Sequence, residues 1–131
     1  MSFLAKLNLD GEEYNVLHCG FRFIQSTDAT GKPTAIPQGG NVNLVVESTG
    51  GTDVFDWMIS AVQTKSGTIT FYRRDNMSKL KILEFSEGHC VDYYESFDHN
   101  GDHPMQITFT VSAKELKLNE SQFVNNWPES E

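Results

Sequence analysis

The sequence predicts a mainly β fold, a two-sheet antiparallel β-barrel with one α-helix over about residues 52–64 packed on it and a long loop at 25–40. Three observations carry that reading. Apolar and polar residues alternate with a period of two along most of the chain, the signature of half-buried strands. The segment from Thr52 to Thr64 breaks the rhythm, with apolar residues at Val54, Phe55, Trp57, Met58, Ile59, Ala61 and Val62, a spacing that suits a buried helix. The stretch QSTDATGKPTAIPQGG, from Gln25 to Gly40, holds two prolines, three glycines and one large aliphatic residue, the composition of a loop. A lone helix among about seven strands fits a barrel or sandwich with the helix on its surface.

Each element has its own signal. Phe3, Ala5, Leu7 and Leu9 alternate with Leu4, Lys6 and Asn8 in a first strand. Asp10-Gly11 then supplies a tight hairpin turn, because both central residues of a type I′ turn need positive φ. The return strand is predicted over 12–25, with Leu17, Cys19, Phe21 and Phe23 on one side. Over 41–47, Val42, Leu44 and Val46 alternate against Asn41, Asn43 and Glu47. In the helix, Thr52 is the predicted N-cap, Asp53 and Asp56 lie where the dipole favours anions, and Lys65 and Gly67 close the far end. Residues 67–74 and 80–97 read as an antiparallel pair joined across Asp75-Asn76. Asn100-Gly101 turns the chain into a strand at 103–118, where Met105, Ile107, Phe109, Val111 and Ala113 share one face and Gln106, Thr108, Thr110 and Ser112 the other. Residues 119–131 read as a C-terminal tail of a single domain spanning 1–131.

Composition narrows the function classes. Hydrophobic residues make up 38% of the 131 and charged residues 21%, enough for a core and too polar for a membrane protein. Ten Lys and Arg against eighteen Asp and Glu give a net charge of −8, which disfavours nucleic acid and anionic membrane surfaces as partners. The N-terminal MSFLAKLNLDGEEY has neither the apolar stretch nor the small-residue site of a secretory signal, so the expectation is cytosolic synthesis with reduced thiols. Export, if it occurs, would then use no signal peptide.

No catalytic or metal motif emerges. In His18-Cys19 and His89-Cys90, neighbours on a strand point to opposite faces, so the four side chains cannot converge on one tetrahedral metal. A Cys19–Cys90 bridge would require adjacent strands and an oxidising compartment. The run Asp98-His99-Asn100-Gly101-Asp102-His103 is dense in ligand types, but its glycine is misplaced for a calcium loop and no glutamate follows at the twelfth position. Asp53 with Asp56, and Glu12 with Glu13, are explained by the helix dipole and by a solvated strand start. Gly31-Lys32 is followed by Pro33 where a phosphate loop needs Ser or Thr. The expectation is a protein that is not an enzyme and holds no cofactor. Arg73-Arg74 beside Phe71 and Tyr72 reads as an ion-pairing or subunit-contact patch, and Trp127-Pro128 as either a tail anchor or a contact for a neighbour.

With those residues in place, the chain resembles a known family. A short hairpin carrying Tyr14-Asn15-Val16-Leu17, a long loop before the third strand, one central helix and long antiparallel strands follow the order of the haemolysin-coregulated (Hcp) tube proteins of bacterial type VI secretion systems. Glu47-Ser48-Thr49-Gly50, Gly67-Thr68-Ile69-Thr70-Phe71-Tyr72, Glu95-Ser96-Phe97-Asp98 and Pro104-Met105-Gln106-Ile107-Thr108-Phe109-Thr110 with Ser112-Ala113 are similar to the Bacteroidota-type branch. The resemblance implies a non-enzymatic barrel that forms hexameric rings, stacked into an inner tube that is driven by a sheath, tipped by a spike, exported by the apparatus and able to carry effectors in its lumen. It assigns the loop to subunit and ring contacts, with Thr30, Gly31, Lys32, Pro33, Thr34, Ile36, Pro37 and Gln38 as the contact residues. Two other readings remain open: a small β-barrel ligand-binding module, and a phage-type contractile-tail tube protein.

Overall fold

The computed structural model describes residues 3–34, 38–73, 75–97, 99 and 105–125. Its elements are β1 (Phe3–Leu9), β2 (Glu12–Phe21), β3 (Asn41–Glu47), α1 (Asp53–Ile59), β4 (Lys65–Arg73), β5 (Lys79–Phe97), β6 (Met105–Leu118) and β7 (Ser121–Val124). The strands form one antiparallel sheet in the order β3-β2-β1-β4-β5-β6-β7, and a further β3–β6 pairing closes it into a six-stranded barrel with β7 appended.

Strand lengths divide this barrel into two walls. β4 pairs with β5 only as far as Lys65↔Gly88, whereas β6 follows β5 on to Phe97↔Met105. β1 leaves β2 at Ala5↔Val16, and β3 takes β2 over from Val16 to Phe21. One wall is therefore β2-β1-β4-β5-β6-β7, and the other is the far half of β5 with β6, β3 and the end of β2. Register shifts at Val16/His18 and at Cys90/Asp92 mark the passage between walls, where an extra residue bends a strand.

The interior is filled by the alternating apolar set. Leu7, Val42, Leu44, Val46, Ile69, Val111 and Ala113 are fully buried, and Phe109, Trp57, Leu9 and Leu83 nearly so. Trp57 ties the helix to the barrel. Its indole N–H donates to the carbonyls of Gly88 and Gln63, both at 3.2 Å, and its ring meets Phe109 edge-on at 6.2 Å. Packing is close enough that a Cβ on Gly88 would fall 2.7 Å from Val111 Cγ1, and one on Gly67 would fall 2.5 Å from the Phe85 ring. The predicted hairpin turn is present, with φ of 49° at Asp10 and 94° at Gly11.

Several sequence expectations change. The helix spans Asp53–Ile59 rather than 52–64, because Ser60 turns extended (φ −88°, ψ 127°) and its Oγ accepts from the amides of Val62 and Gln63. That turn delivers the Gln63 carbonyl to Trp57. Lys65 and Gly67 belong to β4, not to the helix end. Thr52 makes no side-chain cap; its hydroxyl donates to Asp56 Oδ2 at 3.2 Å instead. Only Val54 and Trp57 of the helix are buried, so its outer side stays apolar and exposed. The return strand stops at Phe21, and the bulge at Leu17 switches its inward side from Tyr14 and Val16 to Cys19. Part of the supposed tail is β7, paired with β6 from Leu118↔Ser121 to Glu115↔Val124. The Asn100-Gly101 turn and Trp127-Pro128 lie outside the described residues.

Cys19 and Cys90 are free thiols on β2 and β5, strands that β3 and β6 separate. Burial pushes each thiol up to about 11.

Two outcomes are expected. Trp57→Phe removes both indole hydrogen bonds and part of a buried ring, and should lower unfolding free energy in urea titration by about 2–3 kcal/mol. At pH 8 both thiols of the folded chain should react with Ellman's reagent about 100-fold more slowly than in urea, since the thiolate is the reactive form. With folded values above the unfolded one, stability should also fall as pH rises from about 9 to 11.

Candidate functional site

The described residues of the segment between β2 and β3, 22–34 and 38–40, form a hydrogen-bonded finger. Its base is a pair of backbone hydrogen bonds between Ile24 and Gln38, at 2.9 and 2.7 Å. Farther out, Thr34 N donates to the Ser26 carbonyl at 2.8 Å, and Thr27 bridges Pro33. The tip turns on Asp28, whose Oδ1 accepts from the Thr30 amide, the Thr30 hydroxyl and the Lys32 amide at 2.9, 2.7 and 3.1 Å. These bonds, that of the Thr30 hydroxyl first, hold the Asp28 carboxyl below its ordinary pKa. Gly31, at φ 87°, supplies the left-handed residue the turn needs.

The finger is seated on the barrel at its root. Phe23 meets Phe123 of β7 edge-on at 4.7 Å, and Asn125 Nδ2 donates to the carbonyls of Gly39 and Ala113 at 3.2 and 2.9 Å. Thr30, Gly31, Lys32, Pro33, Thr34 and Gln38 are all exposed along it. Ile36 and Pro37 lie outside the described residues.

A second feature is set by how far the strands pair. The wall of β5, β6, β3 and β2 ends in strand edges that have no strand partner among the described residues: Asp92–Phe97 of β5 on one side and His18–Phe21 of β2 on the other. Its outward face is polar and sparsely charged. Gln106, Thr108, Thr110 and Ser112 of β6 stand beside Glu47, Val45, Asn43 and Asn41 of β3, and the Thr110 hydroxyl donates to Asn43 at 2.8 Å. Behind the β5 edge, Tyr93 donates to Glu95 at 2.7 Å, Glu95 accepts from Ser48 at 3.0 Å, and Phe55 of α1 packs edge-on against Tyr93. Burial first, then the Glu95 carboxylate, pushes the Tyr93 phenol up to about 12. The signal that could have exposed these edges is length: β5 has 19 residues where β4 has 9.

The residues weighed for chemistry do not assemble into a centre. Among the described residues no three His, Cys, Asp or Glu side chains come together in a metal-binding group. Of the Asp98–His103 run only His99 is described. Glu13 pairs with Lys6 at 3.3 Å, and Asp56 with the Thr52 hydroxyl. Arg73 donates to Ser78 at 3.3 Å across the β4–β5 turn, and Arg74 lies outside the described residues. Two concave spaces among the described residues are grooves on the outer surface. One, of about 410 Å³, runs between Asp10, Thr68, Glu84 and Lys117; another, of about 720 Å³, lies at the finger root between Arg22, Ile24, Gln38 and Asn43. No described helix is long and apolar enough to cross a membrane.

The profile of the family described as "Hemolysin coregulated protein Hcp (TssD)" matches residues 1–128. No curated protein matches the chain. Among solved structures, Hcp1 from Flavobacterium johnsoniae is 38% identical, covers 93% of this chain and 99% of its own, and superposes with a TM-score of 0.88. Hcp1 from Salmonella typhimurium shares the fold at 15% identity, with a TM-score of 0.74 over 94% of this chain and 92% of its own. The tube–sheath complex of an extracellular contractile injection system shares it more distantly, at 20% identity and a TM-score of 0.52 over 91% of this chain and 88% of the other. A closed barrel with one flanking helix, a finger before the third strand and a match over nearly its whole length place this chain in the haemolysin-coregulated protein (Hcp, TssD) family.

Proposed function

We propose that the chain is the tube subunit of a bacterial type VI secretion apparatus, closing into hexameric rings that stack into the inner tube. The observation that supports ring formation most directly is the four-stranded wall with an unpaired edge on each side. Backbone N–H and C=O groups on such an edge invite another strand. The two edges belong to different strands, so a contact from β5 of one copy to β2 of the next is heterologous, and heterologous contacts close into rings when the rotation allows. Repeated around a ring, the wall's outward face would line the lumen. Its Thr, Ser, Asn and Gln side chains offer passing cargo hydrogen bonds, with the carboxylates of Glu47 and Asp92 among them.

The finger is assigned to contacts with neighbouring subunits or rings, through Thr30, Gly31, Lys32, Pro33, Thr34, Ile36, Pro37 and Gln38. Its internal hydrogen bonds support this role, since a segment ordered before contact loses less entropy on docking. Polar residues such as Thr30, Lys32 and Gln38 suit a joint weak enough to separate when the tube is spent. Sheath and spike proteins and lumen effectors are the further partners of this reading, with synthesis in the cytosol and export by the apparatus itself. The role is structural rather than enzymatic.

The fold shared with the extracellular injection tube keeps a phage-type contractile device as the second reading. A ligand-binding barrel has less support, because the barrel interior is filled by Leu7, Val42, Leu44, Ile69 and Phe109.

Light scattering of the purified chain, with the same peak imaged by negative stain, should give the mass of a hexamer and open rings. A monomer at high concentration would remove the tube reading. Deleting residues 28–37 should leave the barrel's cooperative unfolding intact while rings stack or close less well. Unchanged assembly would show that the finger has no contact role.

A further inference from the structure

We infer that the outer side of α1 is a knob that docks into a crevice beside the β2 edge of the adjacent copy. The inference rests on the ring reading above and names the side-chain contact that would accompany edge pairing.

The helix is apolar on more sides than its own barrel uses. Val54 and Trp57 face the core, while Phe55, Ile59 and Val62 are 46%, 67% and 82% exposed. Phe55 and Ile59, four residues apart, share one side of α1, and Val62 lies three residues past its end, after the chain has turned extended at Ser60. Apart from Asp53 and Asp56 the helix is apolar, and its own barrel covers only part of that surface, leaving Ile59 and Val62 mostly in solvent. It also sits beside an unpaired strand. α1 packs on β5, and Phe55 touches Tyr93 within the edge half of that strand, ring centroids 5.7 Å apart.

The opposite edge carries a matching recess. Where β1 and β2 part company at the Leu17 bulge, Leu4, Ala5, Val16, Leu17, Cys19 and Phe71, with His18 as the one polar side chain, line an open crevice of about 120 Å³. That is about four water volumes at ~30 Å³ each, comparable to a branched aliphatic side chain. Cys19 belongs both to the crevice and to the unpaired stretch His18–Phe21.

Strip and crevice also lie on corresponding sides of the wall. Tyr93, which the helix touches, is register partner of Phe109 on the core-facing side. Cys19 packs against the core from β2 on that same side. When the β5 edge of one copy meets the β2 edge of the next, the polar faces run on together, and the helix strip and the crevice are brought together behind them. A heterologous interface needs two different surfaces that fit, and the chain has this pair, one beside each edge. The occupant is a second copy of this chain.

The test compares ring mass against concentration for the full chain and three variants. Ile59→Asp/Val62→Asp alters residues that are mostly in solvent, so cooperative unfolding should be unchanged. The concentration at which rings dissociate should rise on the order of 100-fold, the effect of losing two buried aliphatic side chains per contact. Met77→Asp, at a half-exposed apolar residue on the β4–β5 turn, should leave rings as they were. Leu17→Arg at the crevice should also yield monomers. Mixing it with the helix variant should give a complex of two copies and nothing larger, since each retains the half the other lacks. If Leu17→Arg fails to unfold cooperatively, the helix variant alone decides. Rings that persist in Ile59→Asp/Val62→Asp at wild-type concentrations would overturn the inference and leave the tube reading standing, with the strip facing some other protein. A variant mixture that stays monomeric would overturn the crevice assignment. A wild-type chain that forms no rings would instead overturn the reading on which both depend.

Discussion

The architecture depends on a backbone constraint: β5 and β6 are longer than the strands available to pair with them. A peptide group removed from water without a hydrogen-bond partner costs free energy of the order of a lost hydrogen bond. The chain meets that requirement unevenly. β6 is satisfied along both edges, by β5 on one side and by β3 and then β7 on the other. β5 is satisfied on both sides only as far as Gly88, and beyond it one edge has no strand beside it among the described residues. The same shortage appears on β2 after β1 ends. A closed barrel ordinarily abolishes edges; this one closes on itself and still presents two, because its long strands serve two walls in turn.

Gly88 is where that handover is secured. Its carbonyl accepts the Trp57 indole, its Cα lies against Val111, and it is the last β5 residue that β4 reaches. The helix is thereby fixed where the β4–β5 pairing runs out. Met58 joins Trp57 in packing against the core, while Phe55 leans on Tyr93. One buried nitrogen with two carbonyl partners thus sets where the helix ends, how the chain re-enters β4 and which side of the helix remains outside. A side chain of Trp's size makes this possible, since its ring reaches the core while its polar edge remains at the strand boundary.

Much of this was legible in the residues. β3 and the core half of β6 were readable because Val42, Leu44, Val46 and Ile107, Phe109, Val111, Ala113 alternate without interruption, and period two means one buried face. The Asp10-Gly11 turn was legible because few residue pairs tolerate its dihedrals. The misses have physical causes. The bulge at Leu17 inserts one residue, which flips every inward position after it, and no local composition announces it. The apolar run continues past the helix through Ile59, Ala61 and Val62, and composition does not say whether the surface that covers them belongs to the same chain. A strand as short as Ser121–Val124 leaves little periodicity to detect, so β7 does not stand out from a tail in the sequence. The finger's residues were identified but not its order, because the hydrogen bonds of Asp28 and the Phe23–Phe123 contact join positions that local pattern treats as unrelated. The unpaired edges belong to the difference between strand lengths, a relation among elements rather than a property of any one.

The distribution of charge bears on how such a chain could associate with itself. Each copy carries −8, so copies repel, and the repulsion is weakened by salt over a Debye length of about 8 Å at physiological ionic strength. The ion pairs Lys6–Glu13, Lys65–Asp10 and Lys114–Glu87 are all internal, so these lysines are already engaged within the chain. What the edges offer instead is backbone hydrogen bonds and apolar side chains, with a polar, sparsely charged face between them. Those forces are short-ranged and weakly dependent on salt, and they act only when the strands are aligned. Long-range repulsion with short-range attraction suits a subunit that stays dispersed until its edges meet in register.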